Sequence, residues 1–496
     1  MPVYSLEIIV VCLGLLMLLI DAFANLSDKR TIGYFGVLGL LVVIGLLFSV
    51  EWGSKDAATS VFWKFYAFGD TKSLFFKGIA LVSTLIVLIM SIDFAPIVMA
   101  QTADPEEGAH PQAGLGEFFA LPMFACAGLM WMASANHLVS IFVSLETVTI
   151  AFYIMVAYLR RNVGSLEAGV KYLILGALST GFLVYGMTWL YGMTGSMELP
   201  EIGKILASGE VNRTGALFAF ALILVAMAFK VGAVPFHNWI PDVYQGAPTP
   251  ITAFLSVASK AAGFIVFLRI TALYLSSGAL VGKVTVVLTV IAVLTLIVGN
   301  FVALPQTNFK RLLAYSSVAH AGFLLMAMAS APQGALKENA MSVGDVVSFY
   351  LGAYLLMTML AFLVLSALRT SITGENVGSF AGLAKRSPFL AIAMLISMTS
   401  LAGIPLTAGF FGKLFVFKLA FDQEQWVLLA VGIIGACAGF YYYLKIAASM
   451  FLSEAPAGGT TTAIRVSPAA GIAMVFLMIA IIVVGINPTM MMNLLR

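Results

Sequence analysis

Residues 217–244 read LFAFALILVAMAFKVGAVPFHNWIPDVY. An apolar run from Leu217 to Phe229 leads into Lys230, and Gly232 and Pro235 follow directly. Such a run belongs in hydrocarbon, where backbone groups have no water to bond and only helices or closed barrels span. Proline removes a helical hydrogen bond and glycine loosens the turn, so the expected element is a membrane helix that breaks inside the bilayer beside a buried lysine. Residues 394–421, MLISMTSLAGIPLTAGFFGKLFVFKLAF, repeat the arrangement, with Gly403, Pro405, Gly409 and Gly412 around Lys413. Broken helices at corresponding places in two halves point to a transporter built from internal repeats, with an ion site at their interface.

The rest of the chain agrees. Of its 496 residues 61% are hydrophobic and 10% charged, with a mean hydropathy of +1.03, against about 25% charged in soluble domains. The apolar runs are about 20 residues long and lack the alternation of barrel strands. The fold class is therefore an all-α polytopic membrane protein. A net charge of +3 spread over loops gives no basic patch for nucleic acid. Cys12, Cys126 and Cys437 lie in apolar runs without CxxC or a nearby histidine, which argues against disulfides, zinc and iron–sulfur ligation. The N-terminal MPVYSLEIIVVCLGLLMLLIDAF lacks a basic start and an AxA cleavage site, and reads as a first spanning helix.

Fourteen spans are expected, near 4–22, 31–49, 78–100, 117–134, 138–159, 169–193, 215–234, 249–275, 284–303, 312–331, 345–368, 388–420, 426–450 and 466–492. The organisation follows: three N-terminal spans and a loop (1–116), a first repeat (117–275), a second (284–450) and a C-terminal span (451–496). Lys29–Arg30, Arg160–Arg161, Lys310–Arg311, Arg369, Lys385–Arg386 and Arg465 fall on one side under this count. By the positive-inside rule that side is cytoplasmic, with both termini outside; the acidic loop 101–116 counts for little in it.

A charge at the bilayer centre costs at least about 2.5–3.5 kcal/mol, so each one present must face protein or water and is a functional candidate. Glu146 sits in LVSIFVSLETVTIAFYIMVAY, Lys230 before the first break, Lys260 in ITAFLSVASKAAGFIVFLRI and Lys413 after the second break. Burial weakens a lysine's hold on its proton and a nearby glutamate restores it, so moving the pair makes the lysine release a proton and later reload. Lys171, in SLEAGVKYLILGAL, is expected close enough to Glu146 to share that coupling. His237 and His320 are candidate relays, because imidazole titrates near neutral pH. Lys77, Lys418 and Lys445 stand near expected helix ends, where lysines ordinarily snorkel to the headgroups, and Asp21 and Asp93 read as interfacial. No GxGxxG after a strand, P-loop, HExxH or Ser-His-Asp order occurs. Driving energy must then come from an ion gradient or from partner subunits. Small-residue stretches such as GALSTGF and GIIGACAGF offer surfaces on which neighbouring helices pack closely.

MAFKVGAVPFHNWIPDVYQGAPTPITAFLSVASKAAGF (227–264), ALPQTNFKRLLAYSSVAHAGF (303–323) and TSLAGIPLTAGFFGKLFVF (399–417) resemble signature stretches of the antiporter-like subunits of respiratory complex I and of multisubunit Na⁺/H⁺ antiporters. Within that family, Lys413 stands where one sister subunit carries a glutamate, and SLEAGVKYLILGA, DVYQGAPTP and GFFGKLFVF match a single subunit type. The resemblance implies fourteen helices, two inverted five-helix repeats, each with a broken helix, and proton translocation in a bacterial inner membrane. It implies that Glu146 is the channel glutamate of the first repeat, Lys230 its broken-helix lysine, Lys260 the connecting lysine and Lys413 the terminal lysine, with Lys171 and His237 auxiliary. NADH, FMN, iron–sulfur clusters and quinone are expected in partner subunits and none in this chain, whose partners are neighbouring antiporter-like and small membrane subunits. The alternatives are a subunit of a multisubunit Na⁺/H⁺ antiporter, the equivalent subunit of a ferredoxin-, F420- or hydrogenase-linked complex, and a scaffold that keeps its charges as buried ion pairs.

Overall fold

The computed structural model describes residues 4–24, 26–50, 65–67, 69–102, 112–331, 341–369, 374–454, 464 and 466–495. Most of the acidic loop, residues 103–111, and Arg465 lie outside the described residues. The chain forms α1 (Ser5–Phe23), α2 (Arg30–Phe48), α3 (Thr71–Thr102), α4 (Leu115–Ser134), α5 (Leu138–Val156), α6 (Val163–Thr194), α7 (Leu199–Ser208), α8 (Arg213–Val231), α9 (Trp239–Gly246) and α10 (Thr249–Phe254). A π-helical turn, Leu255–Ser259, leads without interruption into α11 (Lys260–Leu275). There follow α12 (Val281–Ala303), α13 (Phe309–Ala329), α14 (Val343–Arg369), α15 (Leu383–Arg386), α16 (Pro388–Ala402), α17 (Ala408–Asp422), α18 (Trp426–Leu452), α19 (Pro468–Ile486) and α20 (Thr489–Asn493). Among the described residues β-pairing is limited to isolated bridges, Tyr66 with Ala135, His137 with Glu198 and Asn308 with Asn376.

Thirteen described helices are long and apolar enough to cross a membrane. The remaining expected span, 388–420, is divided: α16 stops at Gly403, which takes a left-handed φ of 88°, and α17 restarts at Ala408. Gly232, with φ 80°, ends α8 in the same way. A side chain at either glycine would be strained, so both breaks are written into the backbone by residue type. Polar caps start other helices: the Asn212 side chain accepts from the backbone of Thr214 at 3.0 Å and Gly215 at 3.1 Å, and Asn308 accepts from Arg311 at 3.1 Å.

Helix burial sorts the bundle. The hydrophobic windows of Thr249–Leu275, α13 and α14 are each 94% buried, against 28% for α6 and 33% for α1. Charges on these central elements therefore face protein rather than lipid. Backbones approach closely where α12 meets α13: a Cβ added at Gly299 would stand 2.5 Å from the Ala319 nitrogen.

The loops gather at two ends. At one, the Lys29 amide donates to Gln112 Oε1 at 2.8 Å, the Arg161 amide to the Gln101 carbonyl at 3.1 Å and the Phe309 amide to the Glu375 carbonyl at 2.7 Å. The arginines and lysines near 29–30, 160–161, 310–311, 369 and 385–386 lie at this basic end. At the other, Asn136 donates to Phe65 and Leu138 to Met197, each at 2.9 Å.

Two expected placements differ. α3 starts at Thr71 rather than 78, so Lys77 lies two turns inside a helix instead of at its edge. It is 0% exposed and does not snorkel, whereas Lys418 and Lys445 are exposed. α3 also runs on to Thr102, nine residues past Asp93, which is half-buried and whose Oδ2 accepts from Ser467 Oγ, at the start of α19, at 2.6 Å.

Candidate functional site

The central charges form an ordered series, and the secondary structure explains each position. Glu146, on α5, accepts from Thr180 Oγ1 of α6 at 2.8 Å. Thr149 is the next residue on that face of α5, and its hydroxyl accepts from Lys230 Nζ at 3.1 Å. Lys230 is 6% exposed in the last turn of α8, where the partial negative charge of the helix end favours a cation. Its stem faces α11: a Cβ added at Gly263 would lie 3.3 Å from Lys230 Cγ, and Gly263 is one turn from Lys260.

Lys260 is 3% exposed at the point where the π-helical turn returns to α-helix. π-turns accompany functional positions because they rotate one side chain out of register. The ammonium donates to both the carbonyl and the hydroxyl of Ser317 and stands 5.4 Å above the Tyr354 ring. Ser317 Oγ also meets Tyr244 OH at 3.2 Å, and the adjacent Ser316 Oγ bonds Tyr443 OH. Tyr443 OH reaches His320 Nε2 at 3.1 Å, and His320 Nδ1 reaches Tyr350 OH at 2.7 Å. The histidine is 2% exposed, so both ring nitrogens are engaged by phenols in the interior.

Lys413 closes the series. Its ammonium donates to the carbonyls of Leu401 at 3.0 Å and Ala402 at 2.8 Å, two of the acceptors left without helical partners where α16 stops. It stands 5.4 Å over the Phe323 ring, one turn from His320, and borders a cavity of about 360 Å³ lined also by Gly403, Phe417 and Cys437.

Lys171 is elsewhere. Its Nζ pairs with Asp242 Oδ2 and Glu167 Oε1, each at 2.7 Å, and its side chain is 42% exposed. Thr180, the α6 residue that bonds Glu146, lies nine residues farther along, about 13 Å of helix rise away. The coupling expected between Lys171 and Glu146 is therefore not a direct contact. His237 lies half-buried in the turn after Gly232, beside exposed Pro235 and Asn238.

Sequence reasoning missed the salt-bridge lattice at the basic end. Asp242 bridges Lys171 to Arg311, whose Nη1 is 2.9 Å away, and Glu375 joins Lys310 at 3.0 Å to Arg369 at 3.4 Å. Asp242, Lys310, Arg311, Arg369 and Glu375 line a cavity of about 670 Å³. Lys310, 3% exposed, lies seven residues before Ser317 on α13, so the cavity stops about 10 Å short of the Lys260 contact. The phenols and hydroxyls of the series were also missed, because Ser, Thr and Tyr in an apolar run give no signal until partners are known. Glu7 and Arg269 did give one, as single charges in SLEIIVVC and IVFLRITAL.

Residues 135–439, from the start of α5 to the middle of α18, match the family described as NADH:quinone oxidoreductase/Mrp antiporter, transmembrane. The chain belongs to that family. NADH-quinone oxidoreductase subunit N of Moorella thermoacetica is 37% identical over 494 residues, covering 99% of this chain and 96% of the relative. The subunit N of Heliobacterium modesticaldum is 38% identical over 490 residues, covering 97% and 95%. This is the subunit type whose motifs the sequence resembles. Among solved structures, respiratory complex I from Thermus thermophilus contains a chain 28% identical, with a TM-score of 0.78 and 98% of both chains covered. The Mrp complex of Dietzia shares the fold alone, with a TM-score of 0.77 at 20% identity over 99% of this chain and 96% of that one. The chain is an antiporter-like, multi-pass membrane subunit, and its relatives are subunits of an oxidoreductase.

Proposed function

We propose that this chain translocates protons as the subunit N of a bacterial NADH:quinone oxidoreductase, along Glu146, Lys230, Lys260, His320 and Lys413. The observation that carries this reading is the spacing of the buried series: each titratable group is joined to the next by a hydroxyl, a phenol or a single helical turn. A hydroxyl accepts a proton on one side and gives one up on the other; Ser317 offers one at Lys260, and Ser316, Tyr443 and Tyr350 offer them around His320, so exchangeable protons lie between Lys260 and Lys413. Each lysine is held where its charge is tolerated, Lys230 and Lys413 by half-helix ends and Lys260 by Ser317. The polar cavity above Lys310 supplies one aqueous approach, with Lys171 and His237 at its side and in the break as auxiliary groups.

The two breaks support the division into repeats, 117–275 and 284–450. Electron transfer from NADH through FMN and iron–sulfur clusters to quinone we assign to partner subunits. Irregular backbone at membrane depth is not left facing lipid, and exposed Pro235, Asn238 and Leu406 at the breaks support a place among other membrane subunits. With the basic end cytoplasmic, both termini lie outside the bacterial inner membrane.

The test uses the assembled complex in vesicles. Lys230→Ala or Glu146→Ala lowers proton pumping coupled to NADH oxidation; normal pumping by an assembled variant refutes the reading.

A further inference from the structure

The helices that precede the family match carry an ion pair that the central series does not use. Lys77 Nζ on α3 meets Glu7 Oε1 on α1 at 2.8 Å, and both side chains are 0% exposed. Ser73, Thr84 and Ser91 recur at helical spacing on the Lys77 side of α3 and are equally buried. From α11, Arg269 reaches the start of the same face: its Nη2 donates to Ser73 Oγ at 2.7 Å and to Asp70 Oδ2 at 3.4 Å, and its Nη1 to the Ala135 carbonyl at 2.6 Å. Asp70 is 46% exposed and lines a cavity of about 520 Å³ with Lys72, Arg269 and Ser342. A polar route therefore leads inward from that cavity, through Asp70 and Arg269 with Ser73, to Lys77 and Glu7 one turn deeper. Besides Arg269, the titratable groups around the pair among the described residues are Tyr66 and Cys126, on the Glu7 side.

Stability does not account for the pair. Desolvating each ion costs several kcal/mol, and apolar residues of similar volume generally hold two helices together as well or better. Both groups change charge by gaining or losing a proton, and an intramembrane pair of this kind marks an ion route by default.

We propose that Glu7 and Lys77 form a further proton-exchanging site, loaded from the cavity at Asp70, so that the first three helices take part in translocation. The proposal rests on the proton-translocating reading above. In the exchange a Lys77 N–H bond breaks and a Glu7 O–H bond forms, leaving both neutral. A proton from the cavity then restores the ammonium, and the carboxyl releases its own toward the buried Thr84 and Ser91 hydroxyls farther along α3, so one proton enters for each that leaves.

Lys77→Arg separates this role from that of a clamp, because arginine keeps the charge and the ion pair but holds its proton throughout. In the assembled complex, Lys77→Arg is expected to leave NADH oxidation running while lowering protons pumped per NADH at least twofold, as Lys230→Met made in parallel does. Unchanged pumping in Lys77→Arg beside a loss in Lys230→Met overturns the proposal and leaves the reading it rests on standing. Unchanged pumping in both overturns both. Should the guanidinium block assembly, the double variant Glu7→Gln/Lys77→Met supplies a neutral pair of similar volume, with the same expected loss and the same refuting result.

Discussion

Gly409→Ala tests the second break without touching a titratable group. Gly409 is the second residue of α17, and its amide donates to Ser400 Oγ of α16 at 3.1 Å. A Cβ there would stand 1.9 Å from the Ser400 carbonyl oxygen and 2.8 Å from its carbon. The obstacle is backbone, so the two half-helices must part by roughly 1.5 Å to reach van der Waals contact. Lys413 lies one turn farther along α17, and its bonds to Leu401 and Ala402, now 3.0 and 2.8 Å, would stretch beyond hydrogen-bonding range. Two hydrogen bonds to a charged group contribute about 1.5–3 kcal/mol each, so the ammonium loses roughly 3–6 kcal/mol of fixation before its flexible stem adjusts. The expected result is an assembled complex that oxidises NADH with proton pumping reduced tenfold or more, and a lowered melting temperature. Gly181→Ala is the control, because nothing lies within 4 Å of the added carbon. If Gly409→Ala pumps and melts like Gly181→Ala, the argument that the break positions Lys413 is wrong.

Three further outcomes follow from single contacts. Ser317→Ala removes the hydroxyl shared by Lys260 and Tyr244 while leaving the carbonyl, so pumping should fall severalfold with assembly intact; reconstituted vesicles give the rate. Lys171→Ala breaks two solvent-screened ion pairs, so its effect on melting should be small and should shrink further in high salt. His137, just ahead of α5, accepts the Val139 amide on Nδ1 at 3.1 Å, and burial holds its imidazole below the usual value in spite of Glu198. The unfolded chain then binds the proton more readily than the folded one, so stability is full above about pH 6.5 and declines as pH falls below it. His137→Asn, which keeps an acceptor that does not titrate, should flatten the acid limb of a melting-temperature profile.

Much of the architecture was legible in the sequence because a bilayer leaves so few choices. Hydrocarbon admits no unpaired backbone, so apolar runs separated by polar turns read directly as spanning helices. The same constraint makes Glu146, Lys230, Lys260 and Lys413 conspicuous, since an intramembrane charge is costly wherever it points. Gly232 and Gly403 announced the breaks for a local reason, the left-handed φ that each adopts. The start of α3 was less legible: Thr71–Lys77 mixes polar and apolar residues, and the expected boundary at 78 put Lys77 at an edge when it is enclosed.

Pairing was decided only by the tertiary structure. Lys171 is expected beside Glu146 in the bundle, but the direction in which α6 presents it delivers it to Asp242, 71 residues away. Lys77 finds Glu7, and His320 finds Tyr350 and Tyr443, across helices whose mutual rotation no single-helix pattern records. Residue type alone marks the apolar runs as membrane helices and requires the charges within them to be satisfied, because the free energy of transfer depends on residue type and depth. Which group satisfies which charge depends on how the helices rotate and pack against one another, and that is set by the whole interior at once.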